Sequence, residues 1–265
     1  MNTPMNKQRA VSSKWTKTRV LARSNSLAPH IPTTRRLNRR TLSLLLKKHG
    51  MVYVKPVSGS CGIGVMRLDQ QKGKWIVRDG RKRTKFGTFH AQFQWLRKRI
   101  RRKSYIVQRG IHVLRYKGRP IDFRVMIQKG RKAKWKVTGT AARVAHPRKA
   151  VTNGSQGGSI YSTRVLLRRT TGNKQARRLL SKFNRMARLT ARRFSQAYPR
   201  MNELGLDIAV DRRNRAWILE VNTRPDPCPF TKLADSSMLR RIVRYAKGYG
   251  RNYSLKCIKA KRGAR

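Results

Sequence analysis

Only nine carboxylates serve the 265 residues of this chain, against 67 lysines and arginines. The resulting formal charge of +58 constrains the fold more than any other feature, because self-repulsion on that scale works against a compact state. Apolar residues make up 38% of the chain and aromatics 8%, enough for a globular core where they are patterned. The length suits one or two domains. The same charge attracts polyanions, and nucleic acid, acidic polymers and anionic surfaces all fit it. No carboxylate precedes Asp69 and none follows Asp235, so both ends read as basic arms or basic surface.

Several classes drop out early. Cys61, Cys228 and Cys257 are odd in number and show no CxxC spacing, so neither a disulfide framework nor a zinc site is expected. A reducing cytoplasm is the simpler compartment for them. His30, His49, His90, His112 and His146 are scattered singly, without metal-ligand spacing. No stretch approaches the roughly 18 apolar residues of a membrane span. The N-terminal MNTPMNKQRAVSSKW lacks the apolar centre of a secretory signal.

The pattern along the chain predicts an α+β fold. Residues 13–24 read as a short helix, and Thr41 to Lys48 as another with Gly50 as its C-cap. Met51–Val54 is a strand, followed by the glycine-rich loop 58–64 and strands at Val65–Leu68 and Trp75–Val77. Phe89–Arg102 reads as a basic helix whose charged face is solvated. Strands are expected at Tyr105–Gln108, Phe123–Gln128 and Trp135–Arg143, then a polar loop at Asn153–Ser159. Residues 175–198 are the clearest helix: Ala176, Leu179, Leu180, Phe183, Ala187, Thr190, Phe194 and Ala197 recur at three- and four-residue steps. Pro199 ends it. Ile208–Val210 and Trp217–Val221 form a hairpin around Asp211-Arg212-Arg213-Asn214.

Scarce acids are informative acids. Strand side chains alternate, so Glu220 and Asn222 share a face. With the hairpin turn centred between Arg213 and Asn214, Asp207 lies opposite Glu220. Two carboxylates and an amide oxygen then cluster at the open end, a hard-oxygen set that suits Mg²⁺. Singly, each acid reads as an arginine partner; the combined spacing points to a metal. The glycines of loop 58–64 let backbone N–H groups approach phosphates, and Lys55 just upstream offers a point charge. The loop joins two strands and lacks the GxxxxGK[ST] pattern, so it is neither a P-loop nor a Rossmann fingerprint.

Taken in order, Val52-Tyr53-Val54-Lys55-Pro56, the loop Gly59 to Val65, Tyr105 to Ile111, Asp122-Phe123-Arg124, Asn153, Gly157-Gly158, Gly205-Leu206-Asp207 and Ile218-Leu219-Glu220-Val221-Asn222-Thr223-Arg224-Pro225 resemble the ATP-grasp superfamily. The match is to its YheC/YheD type, associated with endospore coats, over residues 51–226. The resemblance implies two α+β subdomains enclosing a nucleotide: a basic helical N-terminal segment at 1–50, a small subdomain at 51–115, a large one at 116–248 and a basic tail at 249–265. Lys55, and Lys14 upstream, would contact the nucleotide. Gly59, Ser60, Gly62 and Gly64 would belong to a flap over the phosphates. Gln108 to Ile111 would be the hinge whose backbone recognises adenine, with Arg109 where such hinges often carry a glutamate. Asp122 would lie near the ribose or nucleotide, and Asn153 in the ATP site. Arg124 and Arg143 would face phosphate or the reacting carboxylate, and Arg224 the substrate. Asp207, Glu220 and Asn222 would hold Mg²⁺, with Mn²⁺ as an alternative.

The resemblance therefore implies an ATP-dependent carboxylate–amine or carboxylate–thiol ligase working through an acyl phosphate, linked to the spore coat. About 50 residues precede the first nucleotide strand, fewer than a typical substrate domain, so the substrate pocket is expected to be reduced, borrowed or absent. Two rivals stand beside the ligase: a non-catalytic nucleotide-binding or coat-assembly protein, and a basic nucleic-acid-binding protein. The second would show steep salt dependence, but neither a zinc finger nor an RNP-type strand is present. An acidic polymer or protein tail as substrate would reconcile ligase chemistry with the charge.

Overall fold

A computed structural model describes residues 10–60, 62–71, 73–101, 103–130, 133–146, 158–257 and 260–263. The strands gather into two sheets, each with one face covered by helices and the other turned at least in part toward a shared cleft. Period-two alternation within single strands builds this arrangement.

The first sheet has the order β1 (Thr34–Arg36), β6 (Tyr105–Arg109), β2 (Met51–Pro56), β3 (Met66–Gln71), β4 (Lys74–Asp79), β5 (Lys82–Phe86), antiparallel throughout. Helices α2 (Arg39–His49) and α3 (Phe89–Ile100) cover one face, where Leu42, Leu45, Leu46 and Leu96 pack on Val52, Val54, Leu68 and Val107. Helix α2 starts on a capping box between Asn38 and Thr41 and stops at Gly50, whose φ of 67° is left-handed. In β2, Val52 and Val54 enter this core while Tyr53 and Lys55 line the cleft.

The second sheet runs β12 (Ala216–Asn222), β11 (Glu203–Val210), β8 (Arg119–Lys129), β9 (Trp135–Val144), β10 (Ser159–Ser162), β13 (Lys261–Arg262), with β7 (Arg115–Tyr116) paired to β8. The long helix α5 (Asn173–Ala197) lies on it beside α4 (Thr163–Thr171). Phe183 and Phe194 of α5 pack with Phe123, Val125, Leu206 and Ile208, each such buried side chain contributing about 1.5–3 kcal/mol. Asp122, Arg124, Arg143 and Asp207 alternate with these core residues and line the cleft. Helix α6 (Ser237–Lys247) and the turn Cys228–Lys232 close a smaller core of Met126, Ala141, Phe230 and Ile242.

Two expectations change, and the basic tail has a defined place. Residues 10–50 do not stand apart: β1 and α2 belong to the first sheet, whereas α1 (Lys14–Ala22) packs on β12 and α5. The tail from 249 is tied down, because Tyr249, Tyr253 and Arg251 all bond to buried Glu203, and β13 pairs with β10. Cys228 and Cys257 form a disulfide with their Cα atoms 5.3 Å apart, contrary to the reading from cysteine count and spacing. Their separation of 29 residues carries no local signature; the bond depends on the tail returning to the 228–232 turn.

Candidate functional site

Between the open faces of the two sheets lies a cavity of about 300 Å³. Of the residues singled out in the sequence, Lys14, Lys55, Ser60, Gly62, Gln108, Arg109, Ile111, Asp122, Arg124, Arg143, Asp207, Glu220, Asn222 and Arg224 all line it. Gly59 and Gly64 belong to the same loop and contribute through backbone: the Gly59 carbonyl accepts from Lys14 Nζ at 2.6 Å, and Gly64 has a left-handed φ of 72° against Pro56 and Tyr105. Asn153, together with Cys61 of the loop, lies outside the described residues.

The hairpin pairs Asp207 with Glu220, as its spacing predicts, but by another route. Val210 pairs Ala216 and Ile208 pairs Ile218, so the turn is centred on Arg213. A regular ladder from there would set Asp207 against Leu219. The register shifts between Asp207 and Ile208, and this bulge brings Glu220 opposite Asp207 instead. Leu219 and Glu220 both line the cavity, while Ile218 and Val221 on either side enter the core.

A charge network ties these groups together. Arg143 grips Asp122 bidentately at 2.6 and 2.7 Å and reaches Asp207 Oδ1 at 3.0 Å. Arg124 Nε donates to the same oxygen at 2.7 Å. The Asp122 carboxylate thus orients an arginine that touches Asp207. Burial pushes the Asp207 carboxyl up, but Arg124 and Arg143 outweigh it and hold the group below its usual range. Asp207 Oδ2 receives only long contacts of 3.4 Å, from Arg124 and Asn222. Glu220 faces Lys14 at 3.6 Å and Lys17 at 3.8 Å. Lys17, three residues past Lys14 on the same face of α1, went unremarked in the sequence; the i, i+3 spacing was its signal. On the facing sheet Lys55 Nζ donates to Gln108 Oε1 at 2.6 Å, and Gln108 in turn donates to Thr34. Burial lowers the Lys55 pKa, with Glu220 opposing and Lys14 reinforcing the shift.

A model of the YheC/D-like ATP-grasp family matches residues 2–251. The chain belongs to that family. It is 26% identical over 249 residues to the endospore coat-associated protein YheD of Bacillus subtilis (strain 168), covering 88% of this chain and 53% of the relative. It is 27% identical over 223 residues to the endospore coat-associated protein YheC of the same organism, covering 82% of this chain and 61% of the relative. The chain thus spans little more than half the length of these relatives. Among solved structures, the ADP complex of N5-carboxyaminoimidazole ribonucleotide synthetase shares the fold, with a TM-score of 0.50 at 13% identity over 87% of this chain and 50% of that one.

ATP-grasp proteins use ATP and Mg²⁺ generally, and the donor chemistry here fits a hard cation. Among the described residues no three His, Cys, Asp or Glu side chains converge, so a site draws on two carboxylates and the amide oxygen of Asn222. Asp207 Oδ2 is weakly held, and Glu220 keeps 26% side-chain exposure with lysines beyond tight bonding distance. The ATP-grasp hinge departs from simple expectation. The N–H groups of Arg109 and Gly110 donate to Thr33 and Met51 within the fold. The Arg109 guanidinium sits 5.0 Å from the Trp217 ring centre, joining the first sheet to β12. Among the described residues no helix is long and apolar enough to cross a membrane.

Proposed function

We propose that this chain binds Mg-ATP in the cleft and activates a carboxylate for ligation to an amine or thiol. The observation that carries the reading is the convergence of Lys55 from one sheet with Asp207, Glu220 and Asn222 from the other, beside two anchored arginines. Lys55 and Lys14 neutralise nucleotide phosphates, Ile111 offers hinge backbone to adenine, and the 59–64 loop covers the phosphate chain. Asp207, Glu220 and Asn222 would hold the divalent cation, Mg²⁺ or Mn²⁺, which when bound would supply charge neutralisation at the phosphates.

The substrate carboxylate attacks the γ-phosphorus, releasing ADP and forming an acyl phosphate. The nucleophile then attacks the acyl carbon and expels phosphate, its proton leaving to solvent or substrate. Arg143, held by Asp122, and Arg124, held by Asp207, are preorganised for the negative charge of the transferring group. Fixing carboxylate and γ-phosphate together contributes up to about 7–11 kcal/mol. Arg224, exposed in the cleft lining, meets the substrate carboxylate. The relatives' names associate them with the endospore coat, which makes an acidic polymer or protein tail at the coat a fitting substrate for so basic a protein.

The test is calorimetric titration with ATP, with and without Mg²⁺, on the wild type, Glu220→Gln and Asp207→Asn, followed by ADP assays with carboxylate–amine and carboxylate–thiol pairs. Wild type should bind ATP in a Mg²⁺-dependent manner, and both variants should lose that dependence. Metal-independent binding in the wild type would overturn the site assignment. Tight Mg-ATP binding with no ADP from any pair would instead indicate a nucleotide-dependent assembly protein.

A further inference from the structure

A second concavity, of about 430 Å³, lies on the helical side of the second sheet and shares no lining residue with the cleft. Its floor is Met186 and Leu189. One wall is α5, from which Arg178, Ser181, Lys182 and Arg185 project at i, i+3, i+4 and i+7. The other wall is Ser26 and His30. That wall is fixed: Leu27 is fully buried, His30 Nδ1 bonds the Ala216 carbonyl at 2.9 Å, and Arg215 donates to the Pro29 carbonyl.

No acid lines the concavity, and the 25 residues of α5 include eight lysines and arginines but no carboxylate. The 178/182 and 182/185 pairs are like-charged neighbours on the helix, so the wall carries uncompensated repulsion that a multivalent anion would relieve. We propose that this groove binds a compact phosphate-chain anion, with Arg178, Lys182 and Arg185 as cationic ligands, Ser26 and Ser181 as hydrogen-bond donors, and His30, whose Nδ1 proton is committed to the Ala216 carbonyl, donating through Nε2 when the anion brings a second proton onto the ring. Guanidinium forks bind phosphate oxygens bidentately. Arg178 and Arg185 are spaced by about 10 Å along the helix axis, the reach of a short phosphate chain. A short groove between two walls, open to solvent above, suits such a ligand better than a long polymer.

His30 provides a local reporter. Burial holds its pKa below the ordinary value, and Lys182, Arg215 and Arg185 around it act in the same direction, partly offset by the Ala216 bond. An anion in the groove reverses that balance. The experiment is NMR titration of the full chain with tripolyphosphate at about 0.15 M ionic strength, following His30 ring resonances assigned with His30→Gln. We expect a saturable shift and a His30 pKa raised by about one unit or more. Arg178→Gln/Arg185→Gln, both exposed positions, should weaken binding at His30 by about tenfold or more. The charge-matched Arg97→Gln/Lys98→Gln on α3 should stay within about twofold. A parallel ATP titration separates sources: a His30 shift with ATP marks a nucleotide's phosphates as the ligand, and a shift with tripolyphosphate alone marks a free chain. An unmoved His30, equal losses in both double variants, or citrate binding as tightly as tripolyphosphate would each overturn the proposal.

Discussion

The nine carboxylates are each placed where a specific partner needs them. Asp69, Asp79, Asp122, Glu203, Asp207 and Glu220 form ion pairs, while Asp211, Asp226 and Asp235 accept from backbone N–H groups in turns. At Asp207 the consequence is a pH dependence. Its folded pKa is depressed, so its stabilisation is full above the unfolded value of about 4 and disappears as pH falls through the lower folded value. The urea midpoint of wild type should drop below about pH 4, and Asp207→Asn should flatten that drop while lowering the midpoint at neutral pH. Lys55 has the opposite sign. Its folded pKa is lowered by burial, so the charged lysine costs stability at neutral pH, and the cost fades as pH rises toward its titration. Lys55→Met should therefore melt at an equal or higher temperature than wild type, while losing about tenfold or more in Mg-ATP affinity. A large drop in melting temperature with affinity intact would contradict this assignment.

At the scale of elements, the bulge in the β11–β12 hairpin sets the cation-binding face. The ladder from the turn to Ile208 would point Glu220 into the core opposite Leu206; one extra residue, Leu219, returns it to the cleft. Close backbone packing holds the same region from beneath. A Cβ on Gly205 would lie 2.6 Å from the Pro225 ring and 3.0 Å from Arg124 Nη1. Gly205→Ala should thus cost about 1–3 kcal/mol in denaturant stability and displace Arg124 from Asp207. A drop in Mg-ATP affinity beyond that of a comparably destabilised core variant such as Ile208→Val is the expected readout. The two sheets meet at Arg109 and Trp217 and at Lys14, which bonds the glycine loop and faces Glu220. Loop and cation site are joined through one side chain.

For the whole molecule, the charge of +58 is a property of the surface rather than of the cleft. The few ion pairs are outnumbered by unpaired cations, so salt screens more repulsion than attraction. Differential scanning calorimetry should show the melting temperature rising between about 0.02 and 0.3 M NaCl, as the Debye length shrinks to the spacing of surface charges. A falling temperature would mean that attractive pairs dominate. The surface charge and the cleft are independent layers: the first suits acidic partners, and the second is built from strand faces that would serve in a neutral protein.

Much of this was legible in the sequence because strand and helix periodicities report side-chain direction locally. The alternation at Val52-Tyr53-Val54-Lys55, the stripe of α5 and the Glu220/Asn222 spacing each need only one element to be read. Helices α4 and α6 and strands β1, β5, β7, β10 and β13 are not legible in the sequence, being short or masked by dense positive charge. The spacing pairs Asp207 with Glu220 from a turn centre half a residue off, and the bulge compensates. What the tertiary structure alone decided are the contacts between distant strands: Arg124 and Arg143 on Asp207, Lys17 on Glu220, and Cys228 with Cys257. These depend on which strands neighbour one another and where the tail returns, and that order is set by the burial of whole faces, a quantity no local spacing encodes.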